Sequence, residues 1–180
     1  MFVQTQKTPN PNSLKFLPGK KVSNSEPFEI DDKSKTDNEL VRNILSINGV
    51  SGIFLSEDFL SVNKNDKIEW EDLKHIIISF INDYYSNGNE IVIDKKTTSS
   101  SKLNLSDLEK KIIDILETKV RPAVAKDGGD IKFKEFKDGV VTVSLQGSCS
   151  GCPSSTMTLK QGVQNLLCHY IPEVKEVVAI

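Results

Sequence analysis

The chain has 180 residues, of which 37% are hydrophobic and 27% charged, and its formal net charge is −2. This length suits one domain or two compact ones. The slightly acidic balance argues against a general nucleic-acid binder, because that work needs an excess of Lys and Arg to neutralise phosphates. No apolar run approaches the roughly 18 residues that span a bilayer. We therefore expect neither nucleic acid nor a membrane among the partners.

The first part of the chain predicts strands and a first helix. Short strands are expected over residues 2–5 and 13–17, on either side of a turn rich in Pro and Asn. Thr36-Asp-Asn-Glu39 has the S/T-x-x-E form of a capping box, so we expect a helix to begin there. Asn48-Gly49 is expected to close that helix.

A hairpin and a second helix complete the predicted N-terminal unit. Residues 50–55 and 59–63 read as two strands joined by a short polar turn. A helix is predicted next, because apolar residues recur at helical spacing: Trp70, Leu73, Ile77, Phe80, Ile81 and Tyr84. Asn87-Gly88 is expected to end this helix.

A change in composition divides the chain. Lys95–Lys102 holds no large apolar residue and is rich in Ser and Thr, so it cannot bury enough surface to offset its ordering entropy. Residues 1–94 carry 10 Lys and Arg against 15 Asp and Glu, whereas residues 105–180 carry 10 against 10. We therefore predict two domains, at 1–94 and 105–180, joined by a flexible linker at 95–104.

The second half predicts the element order α-β-β-α-β. Ser106-Asp-Leu-Glu109 is a capping box that begins a helix, and Arg121-Pro122 is expected to end it. Two strands at residues 131–136 and 140–145 follow, joined across Lys137-Asp-Gly139.

A last helix and a closing strand over residues 174–180 complete that order, and Pro172 is expected to stop the helix. The predicted fold class is α+β, with two small two-layer domains.

The clearest chemical motif is Cys149-Ser-Gly-Cys152-Pro153, which lies between a predicted strand and a predicted helix. Two thiols at this spacing can point the same way and bind one metal centre. Gly147 and Gly151 let the backbone bend tightly. Pro153 suits the first position of a helix, where its missing N–H costs nothing. The unpaired N–H groups and the positive dipole end of a helix N-terminus favour thiolate over thiol. We expect neither cysteine to contribute much to the core.

The supply of ligands limits what one chain can hold. Structural zinc sites and common iron–sulfur clusters need four protein ligands. The chain has three cysteines and two histidines. Along the axis of the predicted helix, Cys168 lies over about 20 Å from Cys152, which is too far to bind the same metal centre. We therefore expect Cys168 to be a half-buried apolar residue. His75 and His169 also lie on other predicted helices. Two ligands in each chain therefore predict a centre shared by two chains.

Three functions remain open for this cysteine pair. It could hold an iron–sulfur cluster, bridge two chains through zinc in a dimeric interaction domain, or act as a dithiol oxidoreductase. No Ser/His/Asp set, phosphate-binding glycine loop or H-E-x-x-H run is present, so we do not expect an enzyme. Few cysteines and the lack of a recognisable targeting segment suggest a reducing compartment. A bacterial cytoplasm is expected, with the mitochondrial matrix as the alternative if a presequence has been removed.

Several segments resemble a known family. Residues 120–130, 145–159 and 170–174 resemble the C-terminal domain of NifU, which the Nfu proteins share. Residues 6–16 and 70–74 are similar to the N-terminal domain of Nfu scaffolds. Together these segments extend over nearly the whole chain outside the predicted linker.

The resemblance implies an iron–sulfur cluster scaffold or carrier rather than an enzyme. Such a protein binds a 4Fe–4S cluster between two protomers, receives it from an upstream assembly scaffold and passes it to apo-proteins. A 2Fe–2S form stays open. The family's cluster-binding cysteines fall on Cys149 and Cys152 here, whereas Cys168 matches no motif cysteine.

Charged residues near the motif have plainer expected roles. Asp127-Gly-Gly-Asp130 is expected to be a turn with capping carboxylates rather than a set of metal ligands. Lys126 and Arg121 are expected to be solvated surface charges, although they could offset the negative charge of a thiolate-bound cluster.

Overall fold

The computed structural model describes residues 2–93, 104–151 and 153–180, with the side chains of residues 153–155 excluded. The chain forms two compact units, Met1–Thr98 and Ser99–Ile180. Both units are mixed α/β, as the sequence predicts. The predicted linker falls outside the described residues except for Asn104.

The N-terminal unit contains a five-stranded antiparallel sheet with the order β1-β2-β5-β4-β3. The predicted hairpin is confirmed as β4 and β5. The first strand begins two residues later than predicted, at Gln4 rather than Phe2. Strand β3 is not predicted, because three residues are too few to show a period. The strands are β1 Gln4–Lys7, β2 Ser13–Leu17, β3 Phe28–Ile30, β4 Val50–Leu55 and β5 Leu60–Lys64.

Helices α1 (Glu39–Leu45) and α2 (Trp70–Ser86) share one apolar core with a face of this sheet, and a 3₁₀ turn spans Lys33–Lys35. The predicted capping box at Thr36–Glu39 is wrong. Asn38 is the N-cap instead, because its side chain accepts a hydrogen bond from the Val41 N–H at 3.1 Å.

The ends of the two helices differ in how well the sequence predicts them. Helix α1 ends at Leu45, earlier than the predicted Asn48-Gly49. The end of α2 is as predicted, since Asn87 caps it and Gly88 adopts a φ of +88°.

The C-terminal unit begins with an interrupted helix, and the capping box at its start is confirmed. Helix α3 (Asp107–Ile115) continues through a π-helical turn, Leu116–Val120, into α4 (Arg121–Lys126). The predicted end at Arg121-Pro122 is therefore wrong. Pro122 has no N–H, and the wider turn, in which the Arg121 N–H reaches the Leu116 carbonyl, accommodates its ring.

Three strands form the sheet of this unit in the order β6-β7-β8: β6 Gly129–Lys137, β7 Val140–Gly147 and β8 Glu176–Ala179. Strands β6 and β7 pair antiparallel. Their turn is as predicted, with positive φ at Asp138 (51°) and Gly139 (82°).

Helix α5 (Pro153–Tyr170) connects β7 to β8, and these two strands pair parallel. The core joins the inward residues of the strands to those of the helices: Ile112, Leu116, Ile131, Val141, Val143, Val163, Leu167 and Val177. The element order is as predicted once α3, the π turn and α4 are counted as one helical run.

Candidate metal-binding site

Cys149 lies in a tight turn between β7 and α5. The turn is closed by Ser150, whose N–H and hydroxyl donate to the Gly147 carbonyl at 3.2 and 2.8 Å. Gly147 and Gly151 bound the turn with φ values of 69° and 75°. Because residues with a Cβ atom are strained at positive φ, these two positions favour glycine.

Further hydrogen bonds fix the turn to its neighbours. The Ser148 N–H donates to the Gly128 carbonyl at 3.2 Å, and the Ser148 hydroxyl donates to the Asp127 carbonyl. The Thr156 hydroxyl of α5 donates to the carbonyl of Cys149 itself at 3.1 Å. The turn that contains Cys149 is therefore held by α5 on one side and by the α4–β6 connection on the other.

Cys149 is only 6% exposed and belongs to the hydrophobic core of the C-terminal unit. The expectation that neither cysteine contributes to the core is wrong for this one. Burial raises the pKa of the Cys149 thiol to about 11, and the carboxylates of Asp127 and Asp130 add to the rise, whereas a hydrogen bond with Ser148 opposes it. The expected thiolate is therefore a neutral thiol at neutral pH.

This pKa predicts how Cys149 reacts as the pH changes. In the folded chain its alkylation rate should reach half-maximum near pH 11, against about pH 8.5 in the unfolded chain. Because folding raises this pKa, the stability gained from the protonated thiol is complete below about pH 8.5 and is lost towards pH 11. Quenched alkylation read by mass spectrometry measures the profile, and a half-maximum below pH 9 in the folded chain would contradict it.

An ion pair fixes the strand next to this turn. Asp130 is in β6 opposite Gln146 and is 3% exposed. Arg121 of α4 donates to both of its carboxylate oxygens, from Nε at 2.9 Å and from Nη2 at 3.0 Å. The expectations of a capping role for Asp130 and of solvation for Arg121 are therefore wrong, whereas Lys126 is exposed as expected.

The other cysteines and the two histidines are placed as follows. Cys168 is half-buried in α5, as expected, and its thiol donates to the Val174 carbonyl at 3.1 Å. His75 and His169 are exposed. Cys152 lies outside the described residues, so its pairing with Cys149 stays a prediction.

The described part of the chain contains neither a cluster of metal-binding side chains nor a helix that could span a membrane. Over residues 2–93, 104–151 and 153–180, no three His, Cys, Asp or Glu side chains group closely enough to hold a metal ion. No helix in these ranges has the length and apolar character to cross a membrane.

Comparison with known proteins follows the division into two units. The model of the family described as scaffold protein Nfu/NifU N terminal matches residues 3–88, and that of the NifU-like domain matches residues 112–178. The human protein named NFU1 iron-sulfur cluster scaffold homolog, mitochondrial, is 42% identical over 98% of this chain and 71% of its own length. NifU-like protein 4, mitochondrial, of Arabidopsis thaliana is 41% identical over 98% of this chain and 65% of its own.

A solution NMR structure of a NifU-like protein from Saccharomyces cerevisiae has a TM-score of 0.48 and 28% identity, over 53% of this chain and 87% of that one. The chain spans about two thirds of the length of the two curated relatives named above. Each of the two family models matches residues of one compact unit only. The chain belongs to the NifU/Nfu family of iron–sulfur cluster scaffold proteins.

Proposed function

We propose that this protein carries a 4Fe–4S cluster between two copies of the chain, held by Cys149 and Cys152 of each, and transfers it to apo-proteins. The observation that carries the proposal is the turn around Cys149. Glycines with positive φ bound it, hydrogen bonds hold its backbone, and it leads into α5 within the segment that the NifU-like domain matches.

The chemistry of the cysteine pair supports a shared centre. Iron–sulfur clusters of this type take four cysteine thiolates, and the motif supplies two in each chain. Thiolates are the soft ligands that such clusters select. Because Cys149 is a neutral thiol in the cluster-free protein, cluster loading releases its proton.

The two units divide the work in this proposal. Residues 105–180 hold the cluster, since residues 1–94 contain no cysteine. Residues 1–94 recognise the upstream scaffold and the apo-proteins, and the linker at 95–104 keeps a bound partner near the cluster. The two compact units and their separate family matches support this division.

The names of the relatives support a non-enzymatic role and one of the two predicted locations. The human relative is named a scaffold, which favours a carrier over a dithiol oxidoreductase. The human and Arabidopsis relatives are named as mitochondrial, which favours the mitochondrial matrix over the bacterial cytoplasm.

Anaerobic reconstitution with iron and sulfide tests the proposal. The protein should turn brown, with broad absorbance near ~400 nm, and sedimentation should show the monomer converted to a dimer with one cluster for each two chains. A strict monomer with one cluster in each chain would refute the shared centre. A colourless zinc dimer without sulfide, or disulfide turnover without metal, would favour the other two functions.

A further inference from the structure

Gly129, the first residue of β6, lies directly against the thiol of Cys149. A Cβ atom built at Gly129 would be 2.8 Å from the Cys149 Sγ and 2.6 Å from the Gln146 carbonyl oxygen. Real Cβ atoms essentially never come within 3.0 Å of such neighbours. The thiol therefore occupies space that the side chain of any other residue at position 129 would take.

Position 129 requires glycine because a side chain would not fit there, and not because of its backbone conformation. Gly129 pairs with Gly147 in the β6–β7 ladder and does not have the positive φ of Gly128 (83°) before it. An L-residue could adopt the backbone of this strand without strain. Glycine is needed there because the sulfur atom and the β7 carbonyl already fill the place of a side chain.

The Cys149 thiol is enclosed by the surrounding protein. Cys149 is 6% exposed, its sulfur lies against Gly129, and its backbone is held by Thr156 and through the neighbouring Ser148. A ligand to a cluster shared by two chains must present its sulfur at the protein surface. The buried position is therefore the resting position of the thiol and not its iron-bound position.

We infer that Gly129 is a positioning residue for Cys149, since it makes room for a buried resting position from which the thiol moves outward to bind iron. Gly147 and Gly151 bound the segment that moves, and their conformational freedom allows the turn to reorient. The outward step rests on the proposed function, whereas the buried resting position does not.

Alkylation of the cluster-free, full-length protein by iodoacetamide at neutral pH tests the inference. The Cys149 thiol of the parent protein should react at least ~100-fold more slowly than in the same chain unfolded in guanidinium, because the reagent reaches it only after local opening. In Gly129→Ala the new methyl group displaces the thiol, so we expect Cys149 to react at least ~10-fold faster than in the parent. Fragment masses report each cysteine separately.

Two controls separate this effect from loss of stability. Cys168 lies in the same unit, so general destabilisation would speed both thiols, whereas displacement from the resting position speeds Cys149 alone. Gly162→Ala adds the same methyl group on α5, where nothing lies within 4 Å, and should speed the reaction of neither thiol.

Three results would overturn the inference: a parent Cys149 that reacts as fast as in the unfolded chain, an unchanged Cys149 rate in Gly129→Ala, or an equal rise at Cys149 and Cys168. No iron is needed for these measurements. A protein that shows the protection and its loss, yet never holds a cluster, would therefore refute the proposed function and not the resting position.

Discussion

Replacing Cys149 with Ser is expected to abolish stable cluster binding, and Cys152→Ser should do the same. A hydroxyl is a poor substitute for thiolate on iron, and a shared cluster would lose two of its four ligands because both chains carry the change. Iron and sulfide for each chain, together with absorbance near ~400 nm after reconstitution, measure the loss.

Cys168→Ser is the matched control for these variants. Its thiol donates to the Val174 carbonyl and lies away from the cysteine turn in sequence, so cluster content should not change. Cys149→Ser also places a hydroxyl in an apolar core, at a cost of about 1–3 kcal/mol if it finds no partner. Far-UV circular dichroism separates that cost from ligand loss. A normal 4Fe–4S spectrum from Cys149→Ser would show that the ligand assignment is wrong.

Local patterns predict most elements of this fold. The apolar spacing after Trp70 and the glycine at 88 predict α2, and Asp138-Gly139 predicts the β6–β7 turn. The capping box at Ser106 is confirmed because both of its hydrogen bonds join residues three apart. Such features depend on neighbours in sequence, so the sequence alone contains the physical cause.

Features that depend on distant contacts could not be predicted in this way. The cap at Asn38 is also tied to a distant element, since its amide donates to the Tyr84 hydroxyl of another helix at 2.9 Å. The π turn lets the helix pass Pro122, although the local rule ends it there.

The candidate site shows the same limit. The spacing of Cys149 and Cys152 predicts metal ligands, but the burial of Cys149 depends on a core made by several elements. The predicted turn over Asp127-Gly-Gly-Asp130 accounts for both glycines, yet Gly129 is already in β6. Its contact with the Cys149 thiol joins residues that are distant in sequence, so no local pattern signals it.

Arg121→Ala is expected to cost the C-terminal unit about 3–5 kcal/mol, because it leaves the buried Asp130 carboxylate without the two hydrogen bonds from the guanidinium. That cost is comparable to the whole stability of a small domain, which is about 5–15 kcal/mol. The pair also joins α4 to the strand that begins at Gly129, so its loss should disturb the site.

Urea unfolding measures this effect in each unit of the full chain. Trp70 is the single tryptophan and lies in the N-terminal unit, so its fluorescence transition should not move, whereas the far-UV transition of the C-terminal unit should shift to lower urea. Lys126→Ala removes an exposed cation from the same helix, and its free energy of unfolding should stay within about 0.5 kcal/mol of the parent value.

A double variant distinguishes the ion pair from the packing of the arginine side chain. Arg121→Met with Asp130→Leu replaces both charges by apolar groups and should recover most of the lost stability, because no buried charge is then left unpaired. If the free energy of unfolding of Arg121→Ala lies within about 0.5 kcal/mol of the parent value, the ion pair does not hold α4 to β6. The site must then be positioned by the hydrogen bonds of Ser148 and Thr156 instead.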